Sequence, residues 1–199
     1  MTSVLLALAP GPDNLFVLTE SALHGKLAGL LVTLGLCTGL IVHTSSVAFG
    51  VAAIFQTSAL AFTSLKFVGS GYLLFLAWGA FRASATQIKS EIGNGQGLSL
   101  KELYYRGIIM NVTNPKVSIF FLAFLPQFVD PARNSMILQI IILGSIFILS
   151  TLLVFGTIAV LAGMIRNWLV HSDKAQIIMN RVAGMVFIIL ALKLAITER

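Results

Sequence analysis

Pro10-Gly11-Pro12-Asp13-Asn14 decides how this chain of 199 residues is read, because it interrupts an apolar run with two prolines and sets a carboxylate directly after them. Inside a helix, proline removes a backbone donor and clashes with the preceding turn, at a cost of about 3 kcal/mol. The same interruption recurs at Asn114-Pro115-Lys116, where the ionisable group is a cation. Hydrocarbon offers nothing to the carbonyls that such a break frees, so breaks survive only where backbone faces protein or a wet cavity. Two broken helices at matching places in two halves point to the binding site of a secondary transporter.

Composition agrees with a bilayer. The chain is 57% hydrophobic and 10% charged, with a mean hydropathy of +0.96. A soluble domain carries about 25% charged residues, so this sequence is that of an all-α integral membrane protein. Its formal charge of +6 does not signal nucleic acid, because the basic residues are thinly spread between apolar runs, as in membrane-protein loops. The single Cys37 excludes an intrachain disulfide and a CxxC metal site. No HExxH, nucleophile elbow or P-loop occurs, so neither an enzyme, a bound cofactor, nor ATP-driven transport is expected.

Apolar runs of about 20 residues fall at roughly 2–23, 27–55, 59–81, 104–129, 136–165 and 177–196. Residues 2–9 read as part of a retained first span, not as a signal peptide, since no Lys or Arg precedes them. Glu20, His24 and Lys26 are expected to mark the first loop, and Arg166, His171, Asp173 and Lys174 the fifth. Gly25, Gly29, Gly35 and Gly39 form small-xxx-small pairs in or beside the second span. The one extended polar stretch, with Gly93-Asn94-Gly95-Gln96-Gly97 inside it, divides the protein. The expected units are a three-helix repeat over 1–82, a cytoplasmic linker over 83–103 and a second three-helix repeat over 104–199. A shift of 103 residues lays Pro12 on Pro115 and Asp13 on Lys116. With three spans each, the halves enter the membrane from opposite sides, giving six transmembrane helices as two inverted repeats with the first and fourth broken at proline. Lys26, Arg82, Lys89, Lys101, Arg106, Arg166, Lys174 and Arg181 lie on the side of the odd loops, against Lys66, Arg133, Lys193 and Arg199 opposite. That bias places the odd loops in the cytoplasm and both termini outside.

Asp13 is an intramembrane carboxylate, which is costly and read by default as functional, able to take and release a proton in a transport cycle. It also follows a Pro-Gly-Pro turn and would cap the half-helix from Asn14. Lys116 holds the symmetry-related place, which makes a charge pair with Asp13 plausible; its distance from both ends of the fourth run argues against a Lys snorkelling to the interface. The half-helix ends at Pro12 and Pro115 suit the ammonium and carboxylate of a zwitterion, better than a sugar or an inorganic ion. His43, mid-span beside Thr44, Ser45 and Ser46, reads first as a hydrogen-bonded packing histidine and second as a coupling residue. The run Phe120-Phe121-Leu122-Ala123-Phe124 reads as lipid-facing or packing surface.

These residues resemble a known family. Pro10-Gly11-Pro12-Asp13-Asn14, with Gly25 and the Gly29/Gly35/Gly39 ladder, looks like the opening of the LysE/RhtB amino acid exporters. The stretch from Tyr105 to Lys116, then Phe120-Phe121 and Leu125-Pro126-Gln127-Phe128, is similar to that family's second-half signature. Leu65-Lys66 with Gly69, Gly71 and Tyr72-Leu73 resembles its third segment. The resemblance implies a six-segment permease of the bacterial inner membrane that exports amino acids or close derivatives against protons, with a homodimer suggested. Asp13, Asn14, Asn114, Pro115 and Lys116 match the motif positions. Members usually have a longer apolar lead than the nine residues before Pro10, so the first span is expected to be short on its outer half, by about 1.5 Å per missing residue. Threonine, homoserine, leucine and lysine all remain open as substrates. The alternatives are a small inorganic cation exporter, which would want more acidic, Cys or His ligands than Asp13 and His43, and a non-transporting membrane scaffold.

Overall fold

Unbroken apolar sequence sets the long helices, and prolines and one glycine end the short ones. The computed structural model describes residues 2–8, 11–57, 59–83, 99–130 and 135–196, and all the regular structure among them is helical. Pro10 and most of the polar linker, residues 84–98, lie outside the described residues. The first apolar run is split into α1 (Thr2–Leu8) and α2 (Pro12–His24). Helices α3 (Lys26–Thr57) and α4 (Ala59–Arg82) follow. The fourth run is split into α5 (Leu100–Thr113) and α6 (Pro115–Ile119), which continues through a π turn, Phe120–Phe124, and a 3-10 turn, Leu125–Phe128. Helices α7 (Met136–His171) and α8 (Asp173–Ile196) complete the chain.

Within these helices Lys26–Gly50, Met136–Ala162 and Ile177–Ile196 are each long and apolar enough to cross a membrane. Helix α5 and the Pro115–Phe128 piece make a fourth span if the pair, bent by 51°, is counted as one. Phe75, Leu149, Leu153 and Ile189 point outward and are largely exposed. So much exposed apolar surface is out of place in water and natural against lipid. The chain is a helical membrane protein.

Two expected loops are in fact helix. Glu20 and His24 belong to α2, where buried Glu20 meets His24 Nδ1 at 2.9 Å, and the turn is made by Gly25 alone. Gly25 has φ +87°, a left-handed conformation that suits glycine, so it ends a helix and adds nothing to the small-residue ladder. Helix α7 likewise runs through Arg166 to His171, leaving Ser172 as the connection to α8. Glu, Lys and Arg are good helix formers, so charge at the end of an apolar run does not end the helix.

Helix directions follow from which residues meet. Gly35 of α3 faces Gly107 of α5 so closely that a Cβ on either would strike the other helix's backbone, and Gly39 makes room for Asn111 one turn along. These two helices run parallel. Gly29 faces Ala159, Cys37 approaches the Ile148 carbonyl, and Thr44 fills the space over Gly144, so α3 and α7 run antiparallel. Gly69 lies by Leu194 and Gly184 by Phe81, so α4 and α8 are also antiparallel. At the core, the Phe147 ring meets those of Phe120 and Phe121 at 5.1 and 5.2 Å. The phenylalanine run is therefore packing surface, with Leu122 its exposed member. Past it, Gln139 clamps the chain by accepting from Asp130 N and donating to Asp130 O, both at 2.9 Å.

Candidate functional site

Both breaks start a new helix with proline at its first position, where the missing N–H costs nothing. They differ in how the loose ends are tied. Across the first break, Asn14 Nδ2 donates to the Ala7 carbonyl at 2.7 Å, joining α2 back to α1. At the second, Asn114 caps α6 by accepting from Lys116 N at 3.0 Å. Pro115 has no N–H for the Asn111 carbonyl four residues before it. That carbonyl accepts instead from Asn114 N at 3.0 Å and contacts His43 Nε2 at 3.2 Å. A carbonyl only accepts, so His43 carries its proton on Nε2 in this arrangement.

Asp13 was expected to cap α2. The cap is Gly11, which lends no side chain, and Asp13 sits inside the first turn with its carboxylate aimed across at α5. Oδ1 accepts from Asn114 Nδ2 at 2.9 Å and Oδ2 from Asn111 Nδ2 at 3.4 Å. Asn111 and Asn114 are three residues apart, one turn of one helix face, which is how both reach one carboxylate. Asp13 is 3% exposed and Lys116 7%. Asp13 and Lys116 line the same cavity, so the two breaks bring an acid and a base to one buried place. Lys116 Nζ lies 3.0 Å from where a Cβ on Gly11 would stand. Gly11 has φ −169°, extended backbone open to any residue, so it is the space for the ammonium that asks for glycine here.

Asp13, Asn111 and Lys116 line one cavity of about 20 Å³, with Leu6 and Ala7 of α1, Leu40 of α3, Val117 of α6, and Phe147, Thr151 and Phe155 of α7. That is room for about one water, far short of any amino acid, so this arrangement is a closed one. Asn14 Oδ1 and Asn111 Oδ1 are buried acceptors without a partner among the described residues. A buried polar atom left so is costly and asks for a reason. Acceptors beside a carboxylate suit an ammonium, and a lysine suits a carboxylate.

Of the residues singled out from sequence, Asp13, Asn114 and Lys116 come together directly. Asn14 and His43 stand behind them, each tying a break. Asn111 and Thr151 were not singled out. Asn111 could have been found, being one helical turn before Asn114 on the same face. Thr151 carries no local signal in a run of apolar residues. Among the described residues no group of three His, Cys, Asp or Glu could hold a metal ion.

The build defines a class: a helical membrane protein with a buried, charged site at two broken helices. The chain belongs to the LysE type translocator family, whose family model matches residues 4–198; it is a transporter family, not one of enzymes. The chain is similar to the homoserine/homoserine lactone efflux protein of Salmonella typhimurium, with 33% identity over 195 residues that cover 98% of this chain and 93% of that protein. It is also similar to an uncharacterized membrane protein of Vibrio cholerae, 31% identical over 94% of this chain and 89% of that one. The leucine efflux protein of an Enterobacter species is 27% identical over 96% and 90%. No solved structure matches the chain.

Proposed function

We propose that this protein exports amino acids or close derivatives, of the homoserine, threonine or leucine type, across the bacterial inner membrane in exchange for protons. The observation that carries the reading is that Asp13 and Lys116 line one cavity between the two helix breaks. A zwitterion needs one group of each sign held a short distance apart. The substrate ammonium would take the Asp13 carboxylate with the free acceptors of Asn111 and Asn14, and its carboxylate the Lys116 ammonium. A proton on Asp13 would substitute for the substrate cation on the return step, which couples the two flows. His43 would serve this by holding the second break, through the Asn111 carbonyl.

The frame is six spans in two inverted three-helix repeats, 1–82 and 104–199, joined by a cytoplasmic linker over 83–103. The odd loops face the cytoplasm, both termini lie outside, and a homodimer is the working unit. Support comes from the packing. Exchanging the first half's helices for the second's turns the contact of α3 with α5 into that of α7 with α1, and maps the α3–α7 and α4–α8 contacts onto themselves. Both self-mapped pairs are antiparallel, as inversion requires. Rocking one half against the other would open the cavity to each side in turn.

Uptake of labelled amino acids into inside-out vesicles, with and without an imposed pH gradient, tests the function. Gradient-dependent uptake of one or a few amino acids, lost in Asp13→Asn, is the expected result. No uptake of any amino acid by the wild type would overturn the reading.

A further inference from the structure

The cavity has four polar side chains in its lining, and three of them belong to the breaks. The fourth is Thr151, mid-way along α7, 3% exposed and flanked at four-residue spacing by Phe147 and Phe155 on the same lining face. Serines and threonines in apolar helices commonly turn their hydroxyls back to the carbonyl four residues before. The neighbours on α7 do this: Ser150 donates to Ile146 O at 2.8 Å and Thr157 to Leu153 O at 2.7 Å. Thr44, one turn beyond cavity-lining Leu40 on α3, donates to Leu40 O at 2.7 Å. Thr151 has no hydrogen bond to any described residue, though Phe147 stands one turn before it. Its hydroxyl is the one in the cavity lining, and no described residue uses it.

Resting on the export reading, we propose that Phe147, Thr151 and Phe155 form the subsite for the substrate's side chain, and that Thr151 selects a hydroxylated side chain over an aliphatic one. The charged end of the cavity claims the ammonium and carboxylate, which every amino acid has in common. What remains is the α7 wall, and the part of the substrate left to meet it is the part that varies. Two aromatic rings cover the side chain's methylenes. Between them the threonine hydroxyl both donates and accepts, so it pairs with a substrate hydroxyl and is left buried and unpaired by a methyl group. A site built to hydrogen-bond a hydroxyl rejects the analogue without it far better than an apolar wall tells two aliphatics apart.

Counterflow in proteoliposomes tests this with the full chain. Labelled homoserine is taken up by vesicles preloaded with homoserine and is competed with norvaline, which puts a methyl where homoserine has its hydroxyl. The wild type is expected to prefer homoserine. Thr151→Val, of nearly the same shape, is expected to cut the homoserine-to-norvaline preference by roughly tenfold or more, and Thr151→Ser to keep the preference. Thr151→Ala serves as a second variant without the hydroxyl, should the valine protein fail to accumulate. Wild-type preference unchanged in either hydroxyl-less variant, or a wild type that favours norvaline, overturns the subsite while leaving the export reading intact. A wild type that moves neither of these two overturns this inference; the export reading falls with it only if no other amino acid is moved either.

Discussion

The two helix breaks begin with the same proline chemistry and are finished differently. The first uses a bare glycine as its cap and is tied by Asn14, whose Nδ2 donates to the Ala7 carbonyl at 2.7 Å. The second is worked by Asn114, which caps α6, holds Asp13 and gives its own N–H to Asn111. One break therefore supplies room and an acid; the other supplies a rigid frame and the base. A broken span needs little support where it only has to bend, and much more where it must also hold a partner's charge.

Replacing the acid should break this comparison most severely. Asp13→Asn takes the carboxylate from two amide donors and leaves buried Lys116 without its counter-charge. Losing one member of a buried pair costs about 3–5 kcal/mol, so uptake into vesicles is expected to fall by roughly 100-fold or more. Next come the two asparagines, compared by thermal unfolding of the purified protein. Asn114→Ala loses a helix cap and a bond to a charged group, about 3 kcal/mol together. Asn14→Ala loses one neutral bond, about 1 kcal/mol. Equal losses would mean that the breaks are built alike after all. His43→Phe is expected to cost about 1 kcal/mol, since the Asn111 carbonyl keeps its bond from Asn114 N. The smallest effect on stability belongs to Gly11→Ala. A methyl there stands 3.0 Å from Lys116 Nζ, and a lysine tip yields easily, so stability should change by less than about 0.5 kcal/mol. Uptake should still drop several-fold, because the displaced atom is the one proposed to meet substrate.

Why some of this could be read from sequence and some could not has a physical basis. Proline acts on its own turn, so the breaks at Pro12 and Pro115 and the charges following them were legible without knowing the neighbours. Long apolar runs fixed α3, α7 and α8 for the same reason. The ends of α2 and α7 were misread because Glu20 and Arg166 favour helix as readily as they favour water. Thr151 depends on how α7 is rotated about its axis, and in a membrane both faces of a helix are apolar, so periodicity does not report that rotation. The π turn at Phe120–Phe124 was likewise silent, since its residues are ordinary helix-packing phenylalanines.

The central claim is that the two breaks make one site through Asp13 and Lys116. Thermal unfolding of the wild type, Asp13→Asn, Lys116→Met and the double variant, side by side in one detergent, tests it directly. The account predicts that each single variant loses stability and that the double loses less than the two losses summed, by at least about 1 kcal/mol, because its second change removes a charge the first had stranded. Losses that simply add would contradict it, leaving an acid and a base that share a cavity without sharing a function.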